Sequence, residues 1–429
     1  MEDSVHRTRR LPVHLAGLCC LTMTPGIWAS GFSLPELSVA GLGLSNAIVA
    51  NPAEPGAIAY NPAAMGFLSR SVVDAGALAI NPGFQVTTST GSHDSNGPPW
   101  LAAPMVQGAW RLDERWRLGL GVNAPFGLET KWKVGTFPEL SVPIPIAPGV
   151  ALPAGLQHPT QSKLEIVSLV PTAAYRVNDK FSFAIGADYY YANTARLNTG
   201  VVDIEGDGDG WGWNLSGLYS DGPWSFGASF HSASTVELDG DFQVNDARLI
   251  ALGRRSQSAE LDLNLPWRLQ LGVRYAFNDR LAAEVDLTRT GWSEFEEIKV
   301  LSKSTGQVLT SDVNAWNDAN AYRFGLTYQM LPQTQLRFGY SYDETGQPDR
   351  HFSARVPDSD RHLFSLGIAQ DLGDGWGVEA GYMYVRFKDR SYRSDKPYVP
   401  GRDVNGTSAV NGDYEASAHL VGVSLRRAF

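Results

Sequence analysis

Catalysis needs a nucleophile, a base or a metal cage, and this chain of 429 residues offers few of them. Beyond residue 29 the histidines are His93, His158, His231, His351, His362 and His419, none spaced four residues from another or set beside a plausible serine nucleophile. Neither G-x-S-x-G nor H-E-x-x-H occurs. Each histidine reads as a loop or wall residue and the chain as a non-enzyme, with a triad assembled in space as the alternative. Both cysteines, Cys19 and Cys20, stand near the start, so thiolate chemistry and disulfides are not expected in the body of the chain. The run Glu205-Gly206-Asp207-Gly208-Asp209-Gly210 has calcium-binding residue types but no glutamate at the EF-hand closing position, and it reads as a solvated loop tip. No cofactor or metal is expected.

What the sequence does offer is chemistry for apolar ligands. Ser141 to Pro159, SVPIPIAPGVALPAGLQHP, would expose apolar surface to water unless its side chains formed a groove. Ile144, Ile146 and Val150, with Trp132 before them, are the candidate groove residues, and packing of the loop on itself is the alternative. Asn123-Ala124-Pro125-Phe126-Gly127 closes a strand that begins near Arg115. Proline removes a ladder hydrogen bond and glycine leaves the strand bare, so a kink or gap is expected there, or else a simple strand end.

The elements that position these residues are strands. From about Ser71 onward the chain alternates with period two. Trp267, Leu269, Leu271, Val273, Tyr275 and Phe277 share one face, against Arg268, Gln270, Gly272, Arg274 and Ala276 on the other. Short turns at 112–114, 178–179, 220–223, 278–279, 331–333 and 372–375 alternate with long connections near 90–99, 126–162, 199–210, 240–257, 302–315, 344–360 and 390–412. That rhythm predicts about fourteen antiparallel strands closed into a transmembrane barrel, because an open edge in lipid leaves backbone groups unpaired. Trp116, Trp224 and Trp376 follow short turns, while Trp100, Trp211, Trp213 and Trp316 follow long ones, as two interfacial girdles would. The inward charges Arg268, Arg274, Glu284, Asp286, Arg323, Arg337 and Glu379 read as buried pairs holding the wall against an insert, with a selectivity filter as the alternative.

Residues 1–29 read as a secretory leader, with Arg7, Arg9 and Arg10 before an apolar run and cleavage after Ala29. The whole chain carries a net charge of −10, and nucleic acid is excluded as a partner. Residues 30–70 are built of small apolar residues without either period, and read as a compact plug. Residues 71–429 are the barrel, which is expected to act as a monomer in the outer-membrane lipid. The C-terminal strand ends on Phe429 with Leu425, Val423 and Val421 in step, although Arg427 breaks the pattern.

Several stretches together resemble the FadL-type outer-membrane transporters of long-chain fatty acids and other hydrophobic compounds. They are Ser30-Gly31-Phe32, Asn61-Pro62-Ala63, Gly210-Trp211-Gly212-Trp213-Asn214, Leu263-Asn264-Leu265-Pro266, Trp292-Ser293-Glu294-Phe295 and Pro357-Asp358-Ser359-Asp360-Arg361. The resemblance implies an all-β fold, a 14-stranded antiparallel barrel plugged by an N-terminal hatch, and passive uptake of a hydrophobic small molecule. It further implies that Gly31, Phe32 and Leu34 reach a ligand pocket and that Lys299 meets a fatty-acid carboxylate. Asn61, Pro62 and Ala63 then form a hatch turn beside a lateral gap formed by Asn123, Pro125, Phe126 and Gly127. The connection from Thr199 to Gly210 is short for this family, which leaves neutral hydrocarbons as an alternative cargo and a general porin as the rival reading.

Overall fold

The computed structural model describes residues 31–429; the leader, with Cys19, Cys20 and the cleavage site, lies outside them. Fourteen strands form the wall: β1 Val72–Thr88, β2 Leu101–Arg111, β3 Trp116–Thr130, β4 Gln161–Arg176, β5 Phe181–Asn198, β6 Val202–Asp221 and β7 Trp224–His231. The second half is β8 Arg268–Asn278, β9 Leu281–Thr290, β10 Ala319–Leu331, β11 Thr334–Asp343, β12 Arg361–Gly373, β13 Trp376–Phe387 and β14 Gly412–Ala428. Each pairs antiparallel with the next, and β14 returns to β1 from Val72↔Ala428 to Thr87↔Asp413. Closure leaves the wall without an edge. The six short turns fall where the sequence puts them. Phe429 and Ser71 exchange backbone hydrogen bonds at the seam, and the guanidinium of Arg427 stacks over Trp376 at 4.9 Å.

Alternation along each strand sends apolar side chains such as Ile185, Leu215, Phe226 and Leu366 outward and polar ones inward. Several of the strands outlast the membrane. β6 runs for 20 residues where about ten would span the bilayer, and its outer half pairs with Ser234–Val244. The acidic run is therefore a strand, not the loop tip expected. Asp207 faces Asp239 and Asp209 faces Glu237 across the ladder, while the glycines between let the backbones close up: a Cβ on Gly208 would lie 1.8 Å from the Glu237 carbonyl oxygen. Among the described residues no three His, Cys, Asp or Glu side chains gather as a metal cage. Trp316 also departs from expectation, since it is buried among aromatic rings and not in the outer girdle.

Residues 31–68 lie inside the wall and are almost wholly buried. Their short turns, Val39–Leu42, Pro55–Ala59 and Pro62–Phe67, are fastened by charge and by fit. Arg337 on β11 binds Glu54 of the insert at 2.7 Å and Glu379 on β13 at 2.8 Å. Asp286 accepts from the Ile48 and Val49 amides and Glu284 from that of Ala50. The wall strands present glycines where the insert comes closest. Added Cβ atoms would sit 2.1 Å from the Val49 carbonyl at Gly227, 2.2 Å from Leu44 at Gly339 and 2.9 Å from Gly43 at Gly367.

Candidate functional site

The wall is interrupted at one place in β3. Its ladder with β2 ends at Met105↔Asn123, and its ladder with β4 shifts register between Asn123 and Phe126. From Pro125 to Thr130 every residue is buried, so the strand has turned inward and stopped alternating. Pro125 has no N–H to give the missing neighbour. The start of the insert supplies the lost pairing: Ser33 bridges Phe126, the Leu34 amide donates to the Pro125 carbonyl at 2.7 Å, and the Gly127 amide donates to Phe32 at 2.8 Å. Residues 32–34 act as a short extra strand across the break.

Aromatic rings pack around this bridge. Phe32 lies 5.8 Å from Phe126, 4.9 Å from Trp292 and 5.1 Å from Phe295, and Phe126 lies 6.0 Å from Tyr190. Gly31 adopts φ +63, and a Cβ there would meet Trp292 and Trp316 at 2.6 Å; its amide donates to Asp358 at 3.2 Å. Burial pushes the Asp358 carboxyl up. Leu34 points to a different cluster, with Leu42, Leu78 and Met105. A cavity of about 40 Å³ adjoins the break, with Pro62, Pro125, Tyr190 and His231 among its lining and the outward-facing Leu120 and Val170 on its far side. It holds about one water.

The hatch turn lies one step away from this position. Asn61 caps its own turn through the Ala63 amide and donates to Val49 and to Gly217 on β6. Ala63 donates to Ser216. Pro62 alone of the three lines the cavity beside Pro125, so Phe126 is held by Phe32, Ser33 and Tyr190 and not by the hatch turn.

A larger cavity, about 680 Å³, opens among the long connections. Leu152, Leu156, Ile204, Phe242, Ile298 and Val404 give it apolar walls, and Arg254, Arg355 and Arg402 add positive charge. Arg355 is paired with Asp312 at 3.3 Å. Burial, helped by Asp312, pushes Asp403 up to about 6. Three expectations are corrected here. Lys299 faces water and pairs with Glu297 at 3.8 Å, because strand alternation gives the cavity its neighbour Ile298. Ile144 and Val150 sit on a small hairpin of their own, Val150 exposed, and the loop contributes Leu152 and Leu156 in their place; the side chain of Ile146 lies outside the described residues. Trp132 is buried, its indole donating to the Ala354 carbonyl at 2.8 Å and its ring packing on Phe137. It is core, not groove. Ser33 and Tyr190 went unpredicted and carried no signal, while Leu152 and Leu156 belong to the Ser141–Pro159 stretch expected to form a groove but were not singled out in it.

A closed barrel filled by its own N-terminal segment, and broken beside that segment, defines a plugged outer-membrane barrel. A family model described as outer membrane protein transport protein (OMPP1/FadL/TodX) matches residues 20–429, and the chain belongs to that family. It is 24% identical over 452 residues to a long-chain fatty acid transport protein of Escherichia coli O6:H1, covering 94% of this chain and 95% of the relative. A 47 kDa outer membrane protein of Pasteurella multocida is 25% identical, with 94% of each covered. Among solved structures, a Pseudomonas aeruginosa FadL homologue superposes with a TM-score of 0.76 at 19% identity, over 93% of this chain and 100% of that one. The Ralstonia pickettii toluene transporter TbuX gives 0.65 at 16%, over 91% and 98%.

Proposed function

We propose that the protein is a monomeric channel for passive uptake of hydrophobic small molecules, long-chain fatty acids foremost, with release sideways through the break in β3. The observation that carries this reading is the bridge of Ser33 to Phe126: the insert supplies pairing where the ladder between β2 and β3 has ended. Residues 30–70 then serve as the hatch. Substrate collects in the outer cavity, displaces Phe32 from the aromatic rings, and passes Phe126 into lipid. Lateral release spares an apolar molecule the cost of entering water, about 25 cal/mol per Å² of its surface. The arginines of the outer cavity favour a carboxylated cargo, as does the name of the Escherichia coli relative. A neutral hydrocarbon is the second reading, favoured by Lys299 facing water.

Uptake of radiolabelled fatty acid and of toluene by a deletion strain carrying the wild-type gene tests the cargo. Gly127→Val in the same strain tests the route. It adds an isopropyl group at a buried point of the break, so uptake of both compounds should fall at least tenfold while the barrel still assembles. Wild-type uptake by that variant would return the substrate to a lumenal path.

A further inference from the structure

The small cavity beside the break is apolar on the hatch side and charged on the wall side. On the strand between them His231 of β7 opposes Asn214 and Asp188 of β5 opposes Gly212, and His231 Nδ1 lies 2.8 Å from Asp188. Asn214 donates to the other Asp188 oxygen at 2.8 Å, which turns the carboxylate toward the ring. The opposite ring nitrogen, Nε2, is buried with no partner among the described residues. Beside His231, directly across the ladder, is Arg268. Alone among the inward arginines named above, it makes no hydrogen bond or ion pair among the described residues; Arg274, Arg323 and Arg337 are all paired. His231, Arg268 and Asp188 line the same cavity as Pro125.

We propose that His231 protonates the carboxylate of a departing fatty acid just before the acid enters the lipid. The inference rests on lateral release of a carboxylated cargo. Around the wall the order is Arg268, His231, Asp188, then Ser168 and the break at Asn123 and Pro125. A carboxylate is drawn to Arg268 and meets the free Nε2 of His231 next. There the Nε2–H bond breaks and an O–H bond forms, leaving neutral imidazole and neutral acid; water then returns a proton to the ring. Asp188 fixes the ring through Nδ1, leaving Nε2 toward the cavity, and repels any substrate still ionised, so only the neutral acid proceeds. The step matters because a bare carboxylate costs several kcal/mol in hydrocarbon, and imidazole is the side chain that exchanges protons near neutrality. The groups facing His231 are Asp188 and Tyr190 from β5 and Arg268 from β8, with Tyr60 and Arg323 within electrostatic reach of Arg268. The hatch residues lining the cavity, Leu37, Ile58, Ala59, Pro62 and Met65, carry no charge.

The test compares uptake of a labelled fatty acid with that of its methyl ester between pH 6 and pH 8, in wild type and His231→Gln. The ester needs no proton, and the acid's own ionisation is common to both proteins. In the variant the acid-to-ester ratio should fall about tenfold at pH 6 and lose the pH dependence that the wild type adds. An unchanged ratio overturns the proposal alone, whereas a wild type that takes up neither compound overturns the fatty-acid cargo and the proposal with it. If His231→Gln fails to assemble, Asp188→Asn decides. Removing the carboxylate oxygen that orients the ring should lower the acid-to-ester ratio at pH 6 several-fold while ester uptake stays at the wild-type level, and an unchanged ratio overturns the proposal.

Discussion

His158 sits in the outer connection after β3, fully buried against Phe137 with ring centroids 5.4 Å apart. Burial, with Arg355 adding to it, pushes its pKa down to about 4. The unfolded chain binds the proton near the ordinary 6.5 and the folded one does not, so stability is complete above 6.5 and falls as the pH drops toward 4. The loss is roughly 3 kcal/mol at one pKa unit per 1.4 kcal/mol. Hydrogen exchange at amides 132–158 should therefore speed up between pH 6.5 and 4, and His158→Phe should flatten the response. Single residues were the least legible scale. Lys299 and Trp132 have suitable chemistry, but alternation within a short hairpin gives the cavity to Ile298, and an indole N–H that finds the Ala354 carbonyl lets Trp132 disappear into the core. Nothing local to either residue records those facts.

At the scale of elements, the strands and their short turns were legible because side-chain alternation and turn chemistry are local. The break in β3 was legible for the same reason: Pro125 and Gly127 weaken a ladder wherever they stand. Its repair was not, since Ser33 lies 93 residues away in sequence and pairing leaves no mark on either partner. The long connection at 199–210 misled for a related reason, because alternating glycine reads as loop until an opposing backbone needs the space. The repair can be locked. Opposed antiparallel residues stand about 4.5–5.5 Å apart, within disulfide range, and the described residues contain no cysteine to interfere. Ser33→Cys with Phe126→Cys should abolish uptake when oxidised and restore it on reduction. Transport by the oxidised protein would mean that the bridge need not open.

Over the whole molecule, the insert is tied to the wall through buried charge. Removing one partner of such a pair costs about 3–5 kcal/mol because the remaining charge is stranded. Arg337→Ala leaves Glu54 and Glu379 with only the longer contacts to Arg426, 3.9 and 3.5 Å. It should lower the temperature at which the barrel loses its compact gel mobility and give planar bilayers a conductance that the wild type lacks; equal conductance would show that other ties suffice. The glycines facing the insert add a mechanical constraint. Backbone at 43–50 is seated in notches at Gly227, Gly339 and Gly367, and larger inward side chains stand above and below those notches, as Arg337 and Ser341 do around Gly339. The fit is that of a key among wards. Such an insert cannot travel along the barrel axis like a piston without driving its backbone through those side chains, so its motion is confined to the end that no notch holds, the residues around Phe32.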